Sequence, residues 1–104
     1  MPNSKDKGSR FERWCANRLR DEFPQVATAR LMSKDADDRG VDLVGTGNFA
    51  FQCKHYAKRT PNDWDVLDHM QTKDKKVIIK KIDRKEPLVV MRLEDFIELV
   101  IHYP

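Results

Sequence analysis

The chain has only two cysteines, Cys15 and Cys53, and each falls on an apolar stripe. Both read as buried thiols rather than as halves of a disulfide or metal ligands. His55 and His69 have no histidine or cysteine at zinc-ligand spacing, which argues against a zinc site. The opening residues Met1 to Lys7 hold no apolar run, so no signal peptide is expected. No stretch approaches the length needed to span a bilayer. Internal repeats, linkers and low-complexity tracts are missing too. These absences point to a cytoplasmic protein with one domain over 1–104, in which residues 1–7 form a loose polar tail.

What the chain does have is charge. Charged residues make up 36% of its 104 residues, and the net charge is +3. Lysine and arginine gather at 5–20, 54–59 and 73–85. That clustering favours an anionic partner more than the small net total does.

Periodicity lays out the elements. A helix is expected from about Ser9 to Glu22, with Phe11, Trp14, Cys15 and Leu19 on its buried stripe. Ser9 fits an N-cap, and Glu12 stands three residues on, at capping-box spacing. Gln25 to Met32 alternates as a strand. Ser33 to Gly40 is a turn-rich acidic loop; it reads either as a solvated loop or as a place where Asp35, Asp37 or above all Asp38 adds negative charge to a neighbouring site. Asn62 or Asp63 can cap a helix over roughly Trp64 to Lys73, with Trp64, Leu67 and Met70 inward. Val77 to Ile82 and Leu88 to Arg92 read as strands. Leu93 to Ile101 reads as a helix packing Phe96, Ile97, Leu99 and Val100. The order α-β-β-β-α-β-β-α predicts an α/β fold, a single mixed central sheet flanked by helices.

The most informative stretch is Gly40 to Lys54. Val41, Leu43, Phe51 and Cys53 alternate with Asp42, Val44, Gln52 and Lys54, the period of a half-buried hairpin. A three-residue loop over Thr46-Gly47-Asn48 pairs Asp42 with Gln52 and puts every apolar residue on one face. A two-residue turn would pair Asp42 with Phe51 and split the faces, so the pattern selects the first register. Gly45, Gly47 and Asn48 supply positions able to take φ > 0. In this register Asp42, Gln52 and Lys54 converge. They form either a reactive cluster or a plain outer face where Lys54 pairs with Asp42 across strands.

An aspartate, a short hairpin and then Gln52-Cys53-Lys54 resembles the core of the PD-(D/E)XK nuclease superfamily. Gln52 stands where the second acid is usual, a departure shared with Mrr-like restriction nucleases. Lys7-Gly8-Ser9-Arg10-Phe11-Glu12-Arg13 resembles the first helix of phage and archaeal-type Holliday-junction resolvases in that superfamily. Glu86 to Phe96 resembles their closing strand and helix. The resemblance implies a Mg²⁺- or Mn²⁺-dependent endonuclease. Asp42 would be the central metal ligand, joined by the Gln52 amide oxygen and the Cys53 backbone carbonyl; Glu12 would bind a second ion or orient a metal-bound water, and Lys54 would stabilise the transition state or position the attacking water. It also implies DNA as partner, a homodimer making two symmetric cuts, and a phage-encoded protein in the host cytoplasm. Arg10, Arg13, His55, Lys58 and Arg59 are candidates for phosphate contacts, although Arg13 and Arg18 also read as ordinary solvated charges. Gln52 keeps two rivals open: an Mrr-like or repair-type nuclease, and a DNA-binding module that has lost catalysis.

Overall fold

The computed structural model describes residues 4–102, with side chains from Lys7 onward. Among the described residues, five strands and five helices follow one another: α1 (Ser4–Leu19), β1 (Ala27–Thr28), α2 (Ala29–Met32), α3 (Lys34–Asp38), β2 (Leu43–Val44), β3 (Phe49–Tyr56), α4 (Asp63–His69), β4 (Lys75–Ile82), β5 (Leu88–Met91) and α5 (Leu93–Ile101). The expected order is present, with two short helices inserted between β1 and β2. The strands form two sheets rather than the single central sheet expected. One is a mixed three-stranded sheet in the order β3-β4-β5, and the other is the antiparallel pair β1-β2. β3 runs parallel to β4 through the α4 crossover, and β5 returns antiparallel.

The three-stranded sheet separates two apolar clusters. Phe51, Cys53, Val77 and Ile79 meet Phe11, Cys15 and Ala16 of α1, with Val26 and Leu43. Ala50 and Ile78 meet Leu67 of α4 and Met70 just after it, with Ala29, Ala36 and Val41. Alternation along β3 and β4 thus reads as the sequence pattern predicts. Cys15 and Cys53 are buried free thiols, as expected. Among the described residues, no helix is long and apolar enough to cross a membrane.

Several expectations are corrected. Helix α1 begins at Ser4, so only residues 1–3 of the expected loose tail lie outside the described residues. Ser9 is inside the helix, where its hydroxyl accepts from Arg13 Nη1 at 3.1 Å instead of capping. Lys7 is tied to Asp83 at 2.9 Å, which anchors the added turn. The strand expected over Gln25–Met32 shrinks to Ala27–Thr28. Ala29-Arg30-Leu31-Met32 are good helix formers, and Ser33 then caps α3 by accepting the Ala36 N–H at 3.1 Å. The acidic loop is therefore largely helix. Asn62 caps α4 through the Asp65 N–H, as predicted. However, Trp14 and Trp64 stand out into solvent, and so do Phe96, Ile97, Leu99 and Val100 of α5. An amphipathic pattern identifies an apolar face but not what covers it.

The turn between β2 and β3 differs as well. β2 pairs with β1, Thr28 opposite Leu43, and makes no ladder with β3. The link to β3 is one backbone bond, Asp42 N–H to the Phe51 carbonyl at 2.8 Å, which belongs to the register that the face pattern disfavours. The reason is visible in the clusters. Val41 packs in one and Leu43 in the other, so these residues never share a face and the pattern has no hold on the register. Gly45, at φ +75°, lies where a Cβ would sit 2.2 Å from the Gln25 carbonyl oxygen. Only glycine fits this crossing of two chain segments.

Candidate active site

A cleft of about 490 Å³ opens between α1, the Asp42 segment and the C-terminal half of β3. Its walls include Glu12, Arg30, Asp42, Cys53, Lys54 and His55. Four of the residues singled out for metal binding or catalysis, Glu12, Asp42, Cys53 and Lys54, are therefore neighbours here. Gln52 does not line the cleft. Its Oε1 is buried and has no hydrogen-bond partner among the described residues.

Asp42 is fixed by its own main chain. Its N–H reaches Phe51, and its carbonyl accepts the Ala29 N–H at 2.8 Å. Its side chain closes the arrangement: Oδ2 accepts the Cys53 N–H at 2.8 Å. Burial raises the Asp42 carboxyl from its ordinary 3.8 to about 6. The Cys53 N–H and the Lys54 charge oppose that rise, while Glu12 and Asp37 add to it. Desolvation therefore outweighs a good hydrogen bond, and Asp42 changes charge near neutral pH.

Glu12 is only 3% exposed and does not serve a capping box. Arg30 Nε donates to both its oxygens at 3.1 Å, and Nη2 donates to Oε2 at 2.9 Å. The fork supplies the partner that a buried carboxylate needs, and it pushes the Arg30 guanidinium further up. The sequence reading missed Arg30. The available signal was that it is the only charged residue between Gln25 and Met32.

The acidic segment contributes through a different residue than expected. Asp38 pairs with Lys34 at 3.0 Å and Asp35 with Arg39 at 3.1 Å, both at the surface. The charge felt at Asp42 and Arg30 is that of Asp37. Burial raises the Tyr56 hydroxyl, which stands at the cleft wall. Among the proposed phosphate contacts, His55 lines the cleft and Arg10 a neighbouring cavity. Arg13, Lys58 and Arg59 are exposed and line neither.

Among the described residues, no group of three or more histidine, cysteine, aspartate or glutamate side chains is placed to hold a metal. Hard cations also take amide and backbone oxygens. Asp42 keeps Oδ1 available and Glu12 is already engaged by Arg30, while the buried oxygen of Gln52 lies outside the cleft. The cleft itself thus offers a divalent ion one free carboxylate and one carboxylate shared with Arg30. No protein-family model, curated protein or solved structure matches this chain.

Proposed function

We propose that the chain is a divalent-metal-dependent endonuclease acting on DNA, with branched DNA of the Holliday-junction type as its foremost substrate. The observation that carries this reading is the meeting of Glu12, Asp42 and Lys54 in one cleft. Asp42 would hold Mg²⁺ or Mn²⁺, with the Cys53 carbonyl and Glu12 as further oxygens; Gln52, outside the cleft, would have to turn to join them. The ion, when bound, would stabilise charge on the phosphate and favour ionisation of the attacking water.

The remaining work falls to the chain's own groups. Lys54 places a positive charge against the pentacovalent phosphate, where negative charge develops. Arg30 keeps Glu12 fixed and leaves its outer edge free to meet a phosphate oxygen. Arg10 and His55 position the strand through its backbone without reading sequence.

Symmetric cleavage of a junction calls for two copies. What supports a homodimer is the apolar face of α5 and the edge strand β5. Eight large apolar residues there, among them Leu88, Val89, Leu93, Phe96 and Ile101, are 38–72% exposed. At on the order of 200 Å² per large side chain, they present roughly 800 Å², the area each partner contributes to a standard stable interface. Sedimentation should give twice the chain mass for the wild type and the single-chain mass for Phe96→Glu/Ile101→Lys. A wild type that stays monomeric at 100-micromolar order refutes the pairing.

The experiment that tests the function is cleavage with Mg²⁺ or Mn²⁺ of a four-way junction, a flap, linear duplex and single strand side by side. Symmetric junction cuts, lost in Asp42→Asn and Lys54→Ala, bear out the reading. Cuts in linear DNA alone move it to an Mrr-like or repair-type nuclease. A second reading, a DNA-binding module without catalysis, draws on the Arg30 fork, which occupies the second carboxylate. It predicts DNA binding without cleavage, and calorimetry showing no Asp42-dependent uptake of Mn²⁺.

A further inference from the structure

Next to the cleft lies a second cavity of about 330 Å³, lined by Lys7, Arg10, Phe11, Trp14, His55 and Lys81. Each of these six is aromatic or carries a basic nitrogen, and none is acidic or aliphatic. The rings form a row. Trp14 lies nearly parallel to Phe11, with centroids 5.8 Å apart and 11° between planes. Phe11 in turn meets His55 at 5.4 Å. Phe11 is buried in the core, whereas Trp14 at the outer end is 44% exposed. An indole half in water beside four basic side chains is poor core packing. It is a good surface for a ligand with a flat π face and a negative charge.

That description fits one nucleotide, and the volume is of the right size for one. Lys7 and His55 line both cavities, so whatever fills this one adjoins whatever fills the cleft. A base stacked on Trp14 needs a face clear of its neighbours, which an unpaired nucleotide offers and an internal base pair does not. Building on the nuclease reading of the cleft, the geometry points to a subsite for a single unpaired nucleotide next to the phosphate in the cleft, its base stacked on Trp14 and its phosphate met by Arg10 and Lys81.

One acid bears on this subsite from outside. The Asp83 carboxylate takes Lys7 Nζ at 2.9 Å and His55 Nε2 at 2.7 Å. It holds the two basic groups that face both cavities, in the way a strand phosphate would. A bound strand competes with Asp83 for them, so Asp83 restrains binding in the free protein.

The test is equilibrium binding of an eight-residue oligothymidine in EDTA, where no cleavage occurs. It is read by tryptophan fluorescence in Trp64→Phe, which leaves Trp14 as the single indole. The single strand should quench Trp14 saturably, and an eight-base-pair duplex should not. Trp14→Ala, followed by a fluorescent label on the oligonucleotide, should weaken binding at least fivefold, the loss typical of one stacked base. Arg10→Ala leaves the ring row intact; it should weaken binding and lower the salt dependence by about one ion. Asp83→Asn should tighten binding severalfold. Equal quenching by duplex, or unchanged affinity in both Trp14→Ala and Arg10→Ala, overturns the subsite. Because the readout is binding, a protein that cuts nothing yet shows these effects refutes the nuclease reading alone. One that cuts but shows none of them refutes the subsite alone.

Discussion

Removing the negative charge at position 42 should stabilise the metal-free protein. The Asp42 carboxyl rises from 3.8 to about 6, chiefly through burial. A raised carboxyl favours the neutral form in the fold. Its contribution to stability is complete below pH 4 and is lost as the pH climbs through about 6. At about 1.4 kcal/mol per pH unit the loss approaches ~3 kcal/mol by pH 7. Asp42→Asn keeps an oxygen for the Cys53 N–H and carries no charge to desolvate. The variant should match the wild type near pH 4 and exceed it near pH 7. At about 4 °C or more per kcal/mol for a domain of this size, the gap in Tm is on the order of 10 °C.

Thermal melts of both proteins from pH 4 to 8, in EDTA and in Mg²⁺, check this. Mg²⁺ should partly reverse the wild-type loss. At a tenfold excess over Kd it contributes about 1.4 kcal/mol, and it should leave Asp42→Asn unmoved. Taking the difference between two proteins cancels the other titrating groups, including Asp83, whose carboxyl Lys7 and His55 hold below its usual range. If Asp42→Asn is no more stable than the wild type at pH 7, the burial argument is wrong. If it responds equally to Mg²⁺, Asp42 is not the ligand.

Other perturbations have equally definite outcomes. Arg30→Met strands Glu12 without its partner and should cost about 3 kcal/mol in urea unfolding, with Glu12→Gln/Arg30→Met recovering much of it. Gly45→Ala must relieve a 2.2 Å approach to Gln25 at positive φ, and should lower stability by about 2 kcal/mol or more. Gln52→Glu places a carboxylate where an amide oxygen is now buried and unpartnered. It should destabilise the metal-free protein, tighten Mn²⁺ in calorimetry and retain or raise cleavage; complete loss of cleavage with an intact fold would mean the amide's donor group is needed.

The fold was legible where a pattern and a packing surface agree. Phe11, Cys15 and Leu19 repeat at helical spacing and face the sheet. Val77 to Ile82 and Leu88 to Met91 pair as strands, and Asn62 caps its helix. It was illegible where small residues carry no preference. Ala27 to Met32 alternates acceptably as a strand, yet Ala29 is buried in a helix whose Leu31 and Met32 face solvent. The exposed residues of α5 were unreadable for another reason. An apolar stripe demands cover, but a single chain's sequence does not state whether the cover is intramolecular.

The site was legible as a set of residue types and not as a geometry. Asp42, Cys53 and Lys54 meet because they lie at one end of β3 and of the segment facing it, which order along the chain nearly guarantees. The register that was meant to bring Gln52 with them rested on Val41 and Leu43 sharing a face, and they do not. Asp42 still reaches β3, because its carboxylate binds the Cys53 N–H in place of a ladder bond. That substitution explains the chemistry as well as the connection. A carboxylate used as a backbone acceptor is drawn out of water, and withdrawal from water is the largest cause of its raised pKa. The Cys53 N–H favours the charge, but the burial that comes with this placement outweighs it and leaves Asp42 with a charge the apo fold holds poorly. A cation on Oδ1, if it binds as proposed, must first displace the proton that burial favours and then offsets the cost of the buried charge; the Mg²⁺ arm of the melts reads the net of these two effects.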